Sequence, residues 1–189
     1  MSSARLKTVE PNFKFEILVD APSDSVPYYY FPKELSGVNR DGAIIKFESK
    51  EGEPWTGVFA FGEGVAEDQR VVFVGPDKNH LVVVVRGAGY VVCVANRTAV
   101  SVEADPVFGV FFAESQELIL FHDFTKVVAY GAYGMVWKSE RLSWDGIQDA
   151  VLVGDTLQGK AWDAPNEKWV EFSVDVETGS KHGGAAPPS

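Results

Sequence analysis

The chain has 189 residues, 46% of them hydrophobic and 13% aromatic. That is long enough for one well-buried core, and the composition is globular rather than disordered. Its formal net charge of −10, with Lys and Arg scattered singly among acidic residues, disfavours a nucleic acid partner; it serves solubility or, in the sharper reading, steers a basic partner protein.

Met1 to Lys7 carries no apolar stretch of signal-peptide length, so a cytoplasmic protein is expected. No run of about 18 apolar residues is present to span a membrane. Phe13-Lys14-Phe15-Glu16-Ile17 alternates strictly and reads as a half-buried first strand. Ala21 to Pro27 reads as a loop, and the aromatic stretch Tyr28 to Pro32 as an edge strand or a cover over one end of the core. Asn39-Arg40-Asp41-Gly42 is a turn before the strand Ala43 to Phe47. Glu51 to Pro54 is a second turn, and Trp55 to Phe61 a strand in which Gly57 suggests a bulge.

After the acidic loop Gly62 to Gln69 come apolar runs at 71–74, 81–85, 90–95, 107–112, 118–122, 127–130 and 135–138. Their spacing is that of hairpins in a meander. Val82 to Val85 does not alternate, which predicts a strand buried on both faces. The only cysteine, Cys93, excludes an internal disulfide and lies in an apolar strand, where a buried, inert thiol is expected. Ala132-Tyr133-Gly134 is a turn, and Trp144-Asp145-Gly146 and Glu177-Thr178-Gly179 close later strands.

The second half contains an internal echo at a spacing of about 37 to 40 residues. The run Leu81 to Cys93 returns as Leu118 to Tyr130 and, more loosely, as Gly159 to Phe172; a fourth unit fits at 43–61. Repeats of this length point to one antiparallel unit used several times, similar to the blades of a β-propeller. The expected fold is all-β and built of antiparallel meander hairpins, as a sandwich or barrel or as an incomplete propeller-like stack. One domain is expected over 1–182, with 1–40 as a cap, 43–180 as the repeated hairpins and 183–189 as a mobile tail.

No stretch carries a reaction-specific motif. Neither Gly57 to Gly64 nor Gly87-Ala88-Gly89 precedes a helix that could hold phosphate. The histidines His80, His122 and His182 have no metal-ligand spacing, so no metal or other cofactor is expected. His122-Asp123 ends a strand and could serve as an acid–base or ligand-binding pair, although Asp at such a place commonly starts a turn. Trp144-Asp145 and Trp162-Asp163 each set a carboxylate beside an indole. That combination can stack a sugar and bond its hydroxyls, or raise the pKa of a glycosidase acid. The competing reading is a core Trp followed by a turn Asp.

Trp144-Asp145-Gly146, Gly159 to Asp163, Phe172 to Gly179 and His182-Gly183-Gly184 together resemble a pattern of uncharacterised bacterial proteins. The resemblance covers about the last third of the chain. It implies a bacterial source and no chemistry. The sequence therefore points to a non-enzymatic binding protein, with an immunity-type inhibitor of a basic toxin or nuclease as one concrete form. A carbohydrate-binding or carbohydrate-cleaving module and a structural oligomer subunit are the alternatives.

Overall fold

The computed structural model describes residues 10–20, 26–33, 41–50, 52–64, 70–75 and 77–186. Parts of the loops expected at 21–27, 39–42, 51–54 and 62–69 lie outside these residues, as do the first nine positions and the last three. The described residues form four sheets of four strands each. The first contains β1 (Phe13–Leu18), β2 (Tyr28–Phe31), β3 (Gly42–Ser49) and β4 (Trp55–Ala60), in the order β1-β3-β4-β2. The second is a plain meander of β5 (Arg70–Val74), β6 (His80–Val85), β7 (Ala88–Cys93) and β8 (Thr98–Ser101). The third repeats that meander with β9 (Gly109–Ala113), β10 (Leu118–His122), β11 (Val127–Gly131) and β12 (Gly134–Lys138). The fourth does so with β13 (Ile147–Val153), β14 (Thr156–Asp163), β15 (Lys168–Asp175) and β16 (Lys181–Gly183). A 3-10 turn spans Ala164–Asn166. Among the described residues no helix is long and apolar enough to cross a membrane.

None of the sheets closes into a barrel. They stack face to face in chain order instead. One apolar cluster joins Ile45, Phe47, Trp55 and Phe59 of the first sheet to Leu81, Val83 and Val85 of the second. The next joins Val82, Val84 and Val91 to Ile119, Phe121, Val128 and Tyr130 of the third sheet. The last joins Leu118, Leu120, Val127 and Ala129 to Leu157, Ala161, Phe172 and Val174 of the fourth. Successive strand residues point to opposite faces. A sheet between two others must therefore be apolar at every position. The run Leu81 to Val85 meets that demand, and each of its side chains is buried. The all-β, antiparallel expectation holds, in its stacked form.

The four echoed runs fall on β3–β4, β6–β7, β10–β11 and β14–β15, the two central strands of each sheet. The described strands before residue 40 belong to the first sheet: β1 pairs with β3, and β2 pairs with β4. The β2–β4 pairing is parallel, so this aromatic stretch is an edge strand of a hand that the meander pattern did not suggest. Phe13 is buried, but Phe15 and Ile17 are exposed, because β1 lies at the edge of its sheet.

Gly57 makes no bulge, since β3 and β4 stay in register through Ile45 and Gly57. The glycine is needed because the ring of Phe59 lies 2.7 Å from where its Cβ would stand. Cys93 is half-buried rather than buried. Gly183 to Ala185, expected in a mobile tail, are hydrogen-bonded to the fold. Gly183 pairs within β16, the N–H of Gly184 donates to the carbonyl of Glu171 at 2.9 Å, and that of Ala185 to Leu142 at 2.8 Å.

Leu120 is fully buried between the third and fourth sheets. Leu120→Ala is expected to lower unfolding stability by about 3 kcal/mol, read from the midpoint of a urea denaturation curve. A loss comparable to that of an exposed control substitution would show that these two sheets are not packed together.

Candidate functional site

Where β9 and β13 meet, the third and fourth sheets leave a cleft of ≈ 420 Å³. Phe108, Gly109, Phe111, His122 and Phe124 form its third-sheet wall, and residues 145–150 the other. The cleft is held open by backbone bonds. The N–H of Leu142 donates to the carbonyl of Thr125 at 2.7 Å, and that of Gly146 to Phe124 at 3.0 Å. Across the fourth sheet, the N–H of Trp144 donates to Trp162 at 3.1 Å, and that of Trp162 to Gly146 at 3.0 Å. Ser143, with no exposed surface, sits at the centre of this junction. Its Oγ accepts the N–H of Trp162 at 2.9 Å and of Gly146 at 3.2 Å, and donates to the carbonyl of Gly146.

His122 is only 6% exposed and lies between two aromatic rings, 6.5 Å from Phe108 and 6.1 Å from Phe111. Its Nδ1 is 3.0 Å from the carbonyl oxygen of Asp123. A carbonyl can only accept, so Nδ1 carries the proton and Nε2 is left as an acceptor in the neutral ring. Burial pushes the imidazole below its ordinary value, outweighing the opposite pull of the Asp123 carbonyl and carboxylate. Gly109 lies over Nε2, where a Cβ would come within 2.5 Å, so only glycine leaves that nitrogen uncovered.

The sequence-derived residues separate into three groups. His122 and Asp145 line the cleft together, with Asp145 exposed at its rim. Asp123 belongs to a turn. One carboxylate oxygen accepts the N–H of Thr125 at 2.6 Å, the Thr125 hydroxyl at 3.0 Å and the N–H of Lys126 at 2.9 Å. Trp144 is half-buried and serves the junction through its backbone. Trp162 and Asp163 are neighbours in sequence, but strand alternation sends them to opposite faces. Asp163 is 7% exposed and accepts the side-chain N–H of Asn166 at 2.8 Å. Trp162 instead meets Trp169 on the open face of the fourth sheet, at 5.3 Å between ring centroids.

Several residues of this region carry no sequence signal of their own. Phe108 and Phe124 remain 45% and 39% exposed although their rings pack 4.3 Å apart. Asp149 occupies a bulge in β13 with φ of 55°. Aspartate tolerates that left-handed conformation better than most residues. Its carboxylate accepts Lys160 Nζ at 2.9 Å. Among the described residues no three His, Cys, Asp or Glu side chains are arranged to hold a metal ion.

Two outcomes follow from this geometry. The unfolded chain binds the His122 proton more readily than the folded one. The stability that His122 contributes is therefore present above about pH 6.5 and is lost as pH falls through its lowered folded value. His122→Gln should make stability fall less steeply between neutral and mildly acidic pH, measured by urea denaturation at each pH; an unchanged slope would contradict the burial argument. Ser143→Ala removes the hydroxyl from the junction while the N–H groups keep their backbone carbonyl partners, at a cost of about 1 kcal/mol. Thermal unfolding of the variant tests this, and an unshifted midpoint would show that the hydroxyl is not needed.

No family model matches the chain, and no curated protein matches it. Among solved structures it is similar to the extracellular domain of the putative one component system BT4673 from B. thetaiotaomicron, with a TM-score of 0.46 and 7% identity. The match covers 74% of this chain and 21% of that one, so the chain spans about a fifth of the length of that structure.

Proposed function

We propose that this is a non-enzymatic binding protein whose cleft between the third and fourth sheets receives a basic side chain from a protein partner. One observation carries the reading: the ionisable groups of the cleft are acceptors set among exposed aromatic rings. His122 presents a neutral Nε2, Asp145 presents a carboxylate at the rim, and Phe108 and Phe124 offer ring faces. A guanidinium or ammonium group satisfies all of these at once, by donating hydrogen bonds and by lying against an aromatic face. The net charge of −10 adds a long-range field of the same sign.

An acidic protein of this kind suits the immunity-type role of capping a basic toxin or nuclease. The field speeds encounter, and the acidic surface competes with a nucleic acid substrate for the same basic groups. Nothing in the cleft pairs a nucleophile with a base, which favours binding over catalysis.

The test is an NMR titration with a short oligo-arginine peptide, with oligo-glutamate as the control. Shifts are expected at Phe108, His122 and Phe124. They should weaken as salt is raised to about 0.5 M, where the screening length falls well below the size of the domain. Asp145→Asn should weaken the peptide roughly threefold or more. Shifts that avoid the cleft, or binding indifferent to salt, would overturn the reading.

A further inference from the structure

The open face of the fourth sheet holds a larger concavity than the cleft, ≈ 580 Å³, and its chemistry is different. The register of β13 to β16 sets three rows of side chains on this face, two of them lining the concavity and the third, a tryptophan pair, lying just beyond its end. Trp162 stands opposite Trp169, Lys160 opposite Glu171, and Gln158 opposite Ser173, with His182 beside Ser173. Rows on one face are two residues apart, so the tryptophan pair lies about 13 Å from the Gln158 row. Trp169 is 41% exposed yet fixed in place. The far edge of its indole rests 3.1 Å from where a Cβ on Gly146 would be, and Trp162 packs against it, with the two ring planes at 56°.

We infer that this face binds a neutral oligosaccharide. A sugar ring has an apolar face of C–H groups and a rim of hydroxyls that both donate and accept. The face supplies a pre-positioned indole for the first. For the second it supplies an amide, a hydroxyl, a carboxylate and an ammonium within one short strip. Other occupants fit less well. A protein interface is depleted of charge at its centre, whereas Lys160 and Glu171 stand in the middle row here. A nucleic acid needs unpaired cations, whereas Lys160 is bonded to Asp149 at 2.9 Å. The length of the strip suits a chain of sugars rather than a single ring. This site uses Trp169 and the polar rows beyond it; Asp163, on the opposite face, takes no part.

The experiment is isothermal titration of the full chain with neutral hexasaccharides: β-1,4-glucan, α-1,4-glucan, β-1,4-xylan and chitin fragments. At least one is expected to bind. Trp169→Ala should weaken that sugar roughly tenfold, Trp169→Phe should restore part of the affinity, and Gln158→Ala should weaken it to a lesser degree. Tyr133→Ala, in the distant β11–β12 turn, should leave it unchanged. Circular dichroism on each variant confirms that the fold is intact. Absence of binding to every hexasaccharide, or equal binding by Trp169→Ala and the parent chain, overturns the inference. Displacement of the sugar by the oligo-arginine peptide would also count against a separate site.

Discussion

Burial of the two central sheets on both faces is the constraint on which the rest of the structure depends. A strand with water on one side needs only every second residue to be apolar. A strand between two other sheets needs all of them. β6, β10 and β11 meet this demand with Leu81 to Val85, Leu118 to Phe121 and Val127 to Tyr130. Their odd and even positions go to different clusters: Leu120 toward the fourth sheet, Ile119 and Phe121 toward the second. The outer sheets obey the other rule. In β3, Ala43, Ile45 and Phe47 are buried while Lys46 and Glu48 lie on the face turned away from the stack. In β15, Phe172 and Val174 are buried while Glu171 and Trp169 face out. Position in the stack is thus written in the period of each strand.

This explains what the sequence disclosed and what it withheld. The central hairpins were legible because dense apolar runs have few alternatives to a buried strand, and their echo marked the repeated unit. β8 and β16 were not, because short edge strands such as Thr98–Ser101 and Lys181–Gly183 bury little and need no pattern. β13 was hidden for a further reason: the bulge at Asp149 breaks the alternation of the strand halfway. The parallel partnering of β2 depends on where residues far along the chain come to lie, which no local pattern encodes. In the candidate sites, His122 and Asp145 could be picked out as residue types, but their meeting across a seam between sheets could not. Trp162 and Asp163 show the reverse case. Adjacency in sequence suggested one site, and strand alternation made them members of two different surfaces.

The cleft itself is a product of stacking. Two twisted sheets that pack closely at their centres diverge toward their margins, and at the β9–β13 margin the gap is lined by whatever the strand ends supply. Here they supply a buried histidine between phenylalanines and, opposite it, the turn held by Ser143. The depth of the site and the lowered proton affinity of His122 have the same origin. Both come from enclosure by neighbouring sheets, and no charged partner is required to produce them.

Asp149 is where the two surfaces meet. It belongs to the rim of the cleft and to the wall of the open-face concavity, and its carboxylate bonds Lys160 of the latter. A left-handed aspartate within a strand persists only where its surroundings over-determine the backbone. Here the ladder resumes on both sides of it, at Gln148 with Lys160 and at Val151 with Gln158. Without the bulge, β13 would run straight and its side chains would alternate between the two surfaces. The irregularity lets one carboxylate stand between a cleft whose ionisable groups are acceptors and a mixed donor–acceptor face. It also gives Lys160 a partner, so the open face carries no unpaired cation, and the two surfaces keep their distinct chemistry while sharing a wall.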